Sequence, residues 1–293
     1  MSRSKRGKAI DSAAPSKRMK TDALLAMPRL CLGLNSLTGK SPSTFLAQAI
    51  DIGYRHFDGA ESYGFLEDIG TTFSDIFKKV PRQEIWITFK SDFSKKSKVE
   101  GFIRTLKCEY IDFLLIHHDY DCSGASNPEL VAFLDSLVQD GLIRYFGFSN
   151  CEDFDVLKRV KVSYPDTFLG IQVQARPPGT RIKGRNLEDF KTFVRLCNDS
   201  DIAVQIFATI SAIINGMFFE DPPSVEGGAF GRLSEFFDAY ANEYVKKDSH
   251  NAIIMGVASG RHLQAYFDNF NRLPGGDFPS DLTELITGEL PLM

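Results

Sequence analysis

Gly53-Tyr54-Arg55-His56-Phe57-Asp58-Gly59-Ala60-Glu61-Ser62-Tyr63-Gly64 is the stretch whose reading decides the fold. It reads as a short strand, His56 to Asp58, that stops at Gly59 and delivers a carboxylate and then a phenol to one rim. A carboxylate at a strand end is ordinary by itself. Its meaning depends on what the other strands bring to the same place.

Three later apolar strands also end in chemically useful residues. Ile85-Trp86-Ile87-Thr88-Phe89 runs into Lys90, Phe113-Leu114-Leu115-Ile116 into His117, and Tyr145-Phe146-Gly147-Phe148 into Ser149-Asn150. In a parallel α/β barrel every strand C-terminus lies on one face, so these residues converge although they are far apart in sequence.

Together these segments resemble the aldo-keto reductase family. Its motif of glycine, apolar, arginine, any, apolar, aspartate, any, alanine, two of any, tyrosine, glycine is matched from Gly53 to Gly64. The family's strand-end lysine and histidine fall on Lys90 and His117, and its serine-asparagine segment on Ile143 to Asn150. The resemblance spans about residues 26 to 270. It implies a (β/α)8 TIM barrel, NADP (NADPH) rather than NAD as cofactor, and a small-molecule carbonyl substrate.

The chemistry of the four residues agrees with that implication. Carbonyl reduction needs a hydride at carbon and a proton at oxygen, because an unprotonated alkoxide is very unstable at neutral pH. Tyr63 can give the proton, but an ordinary phenol, with a pKa of about 10, is a poor donor unless a neighbouring cation lowers it. Lys90 is that expected cation, Asp58 the carboxylate that keeps it charged, and His117 the donor that orients the substrate oxygen. Taken singly, Tyr63 reads equally as a rim aromatic, Lys90 as a solvated lysine and His117 as a packed core residue.

For the cofactor, the resemblance implies Ser149, Asn150 and Gln172 as partners of the nicotinamide carboxamide. Phe207 stands where the family commonly stacks a tyrosine on the ring. The pattern departs after the eighth strand: Gly256 replaces a basic residue, and His262 aligns with a later arginine. Ser259 and Arg261 remain as expected phosphate ligands at a helix start. A basic stretch with Arg176, Arg181, Lys183 and Arg185, which reads as an insertion, is a second source of positive charge or a solvated loop.

The rest of the chain supplies bounds. At 293 residues with 43% apolar content it is long enough for one α/β barrel. Five cysteines, at 31, 108, 122, 151 and 197, form an odd set without metal-ligand spacing, which points to a reducing compartment. No apolar run approaches the roughly 18 residues of a membrane span. His117-His118-Asp119 suggests a metal-dependent hydrolase only weakly, since no second histidine pair has ligand spacing and no metal site is expected.

Net charge is −4, but residues 1–22 carry seven Lys or Arg against two Asp, leaving the remainder at −9. The acidic body gives no footprint for nucleic acid. Residues 1–22 are too poor in apolar side chains to fold, so they are expected to form a disordered arm ahead of a barrel over 23–273 and a tail over 274–293. Lys5-Arg6, ten residues, then Lys17-Arg18-Met19-Lys20 resembles a bipartite nuclear-import signal, against the alternative of a solvated basic tail. A cytoplasmic protein that is also nuclear, with an import receptor as partner, is the resulting expectation. The altered eighth-strand end leaves a second function class open: a catalytically weak or inactive binding or regulatory protein on the same fold.

Overall fold

The computed structural model describes residues 27–37, 42–92, 95–175, 186–208, 245, 251–256 and 260–271. Eight strands form one closed parallel barrel in chain order: β1 Leu30–Gly33, β2 His56–Ala60, β3 Trp86–Ser91, β4 Ile111–Ile116, β5 Ile143–Ser149, β6 Phe168–Gln174, β7 Ala203–Ala208 and β8 Ala252–Gly256. Pairing of Leu30 with Ile253 through Gly33 with Gly256 closes the ring. This is the (β/α)8 TIM barrel that the resemblance implies.

Seven helices are described: α1 Pro42–Ile52, α2 Leu66–Ile76, α3 Lys96–Thr105, α4 Pro128–Gln139, α5 Phe154–Ser163, α6 Leu187–Asp199 and α7 Gly260–Asn271. Their starts are set by local chemistry. Asn127 accepts from the N–H groups of Glu129 and Leu130 ahead of Pro128, and Asn186 and Asp189 exchange hydrogen bonds at 3.0 Å in a capping box. α5 begins at Phe154, where Asp153 caps it by accepting from the Val156 N–H at 3.1 Å. The basic arm, the stretch 176–185, the C-terminal tail and the helix expected over 233–247 lie outside the described residues, save for Val245, which is buried.

Strand alternation divides the core in two. Phe57, Phe89, Phe146 and Phe148 face the helices, are at most 1% exposed, and meet residues such as Phe73 from α2 at 5.7 Å between ring centres. The high phenylalanine content thus fills the sheet-to-helix layer. Trp86, Phe113, Leu115 and Ala203 pack together in the barrel interior, Trp86 and Ala203 as the first residues of β3 and β7. Gly147 makes room there: a Cβ on it would stand 2.0 Å from the Gly170 carbonyl oxygen and 2.8 Å from the Phe113 ring.

The lower rim is closed by charge as well. Arg82, 4% exposed, donates to Asp112 at 2.7 Å and to the Tyr110 carbonyl at 2.6 Å, while Arg144 reaches the other Asp112 oxygen at 3.0 Å. Arg82 stands before β3 and Tyr110 before β4, while Asp112 and Arg144 are the second residues of β4 and β5; this is the end of a barrel where such pairing serves stability rather than chemistry. Among the described residues, no helix is long and apolar enough to cross a membrane.

The cysteines hold a result that their odd count did not suggest. Cys122 and Cys151 form a disulfide with Cα atoms 4.9 Å apart, while Cys31, Cys108 and Cys197 are buried free thiols. The bonded pair is separated by 29 residues, with no local signature. It forms because the chain segments leaving β4 and β5 run side by side, as the hydrogen bond from the Asp119 N–H to the Ser149 carbonyl also shows at 2.9 Å.

Candidate active site

Asp58 and Lys90 point into the barrel from neighbouring strands β2 and β3. The Lys90 ammonium donates to both Asp58 oxygens, at 2.6 and 2.5 Å, and the two residues are 2% and 3% exposed. Burial disfavours the lysine charge, but Asp58 and then Tyr63 outweigh it and hold the ammonium above the ordinary lysine value. A buried cation is therefore maintained at the chemical end of the barrel.

Tyr63 arrives over this pair on a short 3-10 turn, Glu61–Tyr63, that follows β2 directly. Its ring centre is 5.2 Å from Lys90 Nζ. The turn is pinned by Glu61, which accepts from Ser91 at 2.5 Å and pairs with Lys98 at 2.8 Å. Gly64, at φ +76°, and Phe65, at φ +46°, then reverse the chain into α2. Sequence reasoning passed over Glu61, although its position two residues before Tyr63 was the available signal.

The expected lowering of the phenol does not occur. Burial pushes the Tyr63 hydroxyl up, Asp58 adds to this, and Lys90 pulls it down without prevailing. Asp58 neutralises much of the cation's effect on its neighbour. The consequence is a phenol that stays protonated across the neutral range and is poised to lose its proton only to a strong base.

His117 follows β4, and its ring meets that of Tyr63 edge-on at 6.4 Å and 81°. It is half-buried, and burial, then His118 and Lys90, lower its pKa to about 4. A neutral ring, with one N–H to donate, is thus the form present at neutral pH. His118 stacks on it at 3.7 Å between centres. Among the described residues, no group of three metal-ligating side chains is present.

The residues expected at the cofactor gather at the ends of β5, β6 and β7. Ser149 pairs with Gln172 in register, and Asn150, in left-handed backbone at φ +71°, donates its side-chain amide to the Ser149 hydroxyl oxygen at 3.1 Å. Left-handed backbone suits asparagine. Gln172 Nε2 is spent on Asp58 Oδ1 at 2.8 Å and on Gln205 Oε1 at 3.0 Å, so its carbonyl is the atom left for a ligand. Phe207 is half-buried on β7 and pairs with Ile254. The Ser149 hydroxyl hydrogen, Asn150 Oδ1 and Gln172 Oε1 suit a carboxamide, which carries both a donor and an acceptor. Ser259 lies outside the described residues, and Arg261 is placed only as backbone in the first turn of α7.

A phenol over a buried lysine–aspartate pair, with a histidine and a row of amides on the same rim, belongs to the class of (β/α)8 oxidoreductases. The Aldo/keto reductase family model matches residues 29–221, and the chain belongs to that family. It is 25% identical over 290 residues to an aldo-keto reductase [NADP(+)], yakc, of Schizosaccharomyces pombe, covering 89% of this chain and 82% of the relative. It is 26% identical over 193 residues to a 9,11-endoperoxide prostaglandin H2 reductase of Trypanosoma cruzi, covering 64% and 63%. Other curated relatives are matched over about half their length or less. In structure it is similar to the Bombyx mori aldo-keto reductase AKR2E4 solved with NADP, at TM-score 0.63 and 19% identity over 89% of each chain. As a family member the protein is an oxidoreductase whose chemistry is carbonyl reduction by hydride transfer.

Proposed function

We propose that Asp58, Lys90, Tyr63 and His117 carry out this reduction on an aldehyde or ketone bound at the C-terminal rim of the barrel. NADPH supplies the hydride. Tyr63 gives its phenolic proton to the oxygen as negative charge grows there, and Lys90 stabilises the phenolate that remains. The close approach of Lys90 to the Tyr63 ring, with Asp58 behind the lysine, carries this reading. His117, neutral, donates its ring N–H to the same oxygen and fixes which face of the carbonyl is presented.

Ser149, Asn150 and Gln172 would hold the nicotinamide by its carboxamide, with Phe207 as the aromatic beside them. Ser259 and Arg261 would hold the 2′-phosphate. Mixing the protein with NADPH and a panel of aldehydes tests the whole assignment. Loss of reduced cofactor matched one to one by alcohol is expected; NADPH binding without alcohol formation from any member would overturn it.

We propose further that the protein is cytoplasmic and also nuclear, with the two basic clusters of residues 1–22 recruiting an import receptor. The spacing of Lys5-Arg6 and Lys17 to Lys20 supports this. A fluorescent fusion lacking 1–22 should leave the nucleus while retaining reductase activity. Identical distributions of the full-length and shortened proteins would refute it.

A further inference from the structure

A line of polar side chains crosses the barrel interior at a level where apolar residues would fill it at no desolvation cost. His56, Thr88 and Gln205 are wholly buried, Gln172 is 2% exposed, and the line ends on Asp58. The members come from β2, β3, β6 and β7, with Asp58 opposite Thr88 and Gln172 opposite Gln205 in the strand registers. Burying five polar groups is costly unless each finds its partner, so the order of donors and acceptors along the line matters.

That order is fixed from both ends. The Pro28 carbonyl can only accept, so His56 Nδ1, 2.8 Å away, carries the ring proton. His56 Nε2 is then an acceptor and takes the Thr88 hydroxyl proton at 2.8 Å. The hydroxyl oxygen in turn accepts from Gln205 Nε2 at 2.9 Å, with His56 Nε2 at 3.4 Å and Met27 Sδ at 3.5 Å around the same amide nitrogen. This sets Gln205 Oε1 toward Gln172, whose Nε2 donates to it at 3.0 Å and passes its second N–H to Asp58 Oδ1 at 2.8 Å. At the other end an ionised carboxylate also only accepts, which demands the same direction. A neutral His56 is required throughout, and complete burial keeps it so, with its pKa lowered to about 4.

We infer that Gln205 and Thr88 are positioning residues of the reductase: through Gln172 they hold the Asp58 carboxylate turned with both oxygens on Lys90. Their side-chain hydrogen bonds go to His56, Met27, Gln172 and each other rather than to Lys90 or Tyr63. Without them the Gln172 amide keeps Asp58 as an acceptor but loses the second one, on Gln205, that fixes its orientation, so the carboxylate loses a fixed donor beside the ammonium. The titratable groups that interact electrostatically with Lys90 are Asp58, Tyr63, Cys31, His56 and His117. Of these Asp58 is the anion, so its loss of alignment lets Lys90 give up its proton at lower pH. This rests on the roles proposed above for Tyr63 and Lys90.

Thr88→Val, which removes only the hydroxyl, and Thr88→Ser, which keeps it, test the inference, with Tyr63→Phe alongside. The valine variant should lose about tenfold in kcat, the scale of one hydrogen bond to a charged group, and its alkaline limb should move down by about one pH unit. NADPH Kd should stay near the parent value, and the serine variant should behave as the parent. Parent-like kcat and alkaline limb in Thr88→Val, or equal losses in valine and serine variants, would overturn it. If Thr88→Val does not fold, Gln205→Met carries the same readouts; loss of NADPH binding in both makes the role structural and also overturns the inference. A Tyr63→Phe variant as fast as the parent would instead remove the underlying assignment, whatever Thr88 does.

Discussion

Lys90 meets both oxygens of Asp58 at 2.6 and 2.5 Å in a site that water scarcely reaches. Each charge is tolerable there only because of the other. Asp58→Asn keeps the shape and removes the anion, leaving a buried ammonium alone, so unfolding free energy should drop by about 3 kcal/mol or more. Carbonyl reduction should fall by about 10²-fold as Lys90 loses its charge. Chemical denaturation and initial rates, measured on one preparation, check both; a variant as stable as the parent would show that the pair is not needed to bury the lysine.

The disulfide Cys122–Cys151 ties the segment after His117 to the residue that follows Asn150. Reduction, or Cys122→Ser, should therefore lower stability by on the order of 3 kcal/mol. It should also weaken NADPH binding more than kcat, since Ser149 and Asn150 lose their neighbour's anchor. Denaturation midpoints that coincide with and without dithiothreitol would contradict this.

Burial lowers His56 to about 4 from its ordinary 6.5. The folded state binds that proton less readily than the unfolded chain, so its contribution is complete above about pH 6.5 and is lost as pH falls toward 4. The loss over that window should be on the order of 3 kcal/mol. Urea denaturation between pH 7 and 4 should show it, with a flatter slope for His56→Gln. The same slope in parent and variant would exclude His56 as the source.

Much of this architecture was legible in the residues. The bounds of β6 and β7 could be read from Phe168 to Gln174 and Ala203 to Ala208, because buried parallel strands appear as continuous apolar runs. The meeting of Asp58, Lys90, Tyr63 and His117 was legible because a barrel fixes which strand ends share a rim. The line through Thr88 and Gln205 was not, since it depends on side chains crossing from one wall to the other. Nor was the disulfide, whose cysteines lie on successive βα connections without a spacing rule. Tyr63 kept its place but not its expected acidity, because Asp58 opposes the effect of Lys90.

Cofactor discrimination should be modest, because Gly256 offers no side chain at the end of β8 where family members commonly carry a cation. With Arg261 as the surviving arginine, NADPH should be preferred over NADH by about tenfold to a hundredfold, the worth of one charge-assisted contact. Fluorescence titration of both cofactors against the parent and Arg261→Ala checks this. An unchanged preference in the variant would move the phosphate contact to Arg181 or Arg185.

The central claim is that Tyr63 gives the proton, and Tyr63→Phe tests it with the ring retained and only the hydroxyl removed. Measured as initial rate of aldehyde reduction at saturating NADPH, the variant should be slower by at least about 10²-fold, the usual scale for loss of a general acid, with NADPH Kd nearly unchanged. A variant rate within about threefold of the parent, well short of that general-acid scale, would contradict the account.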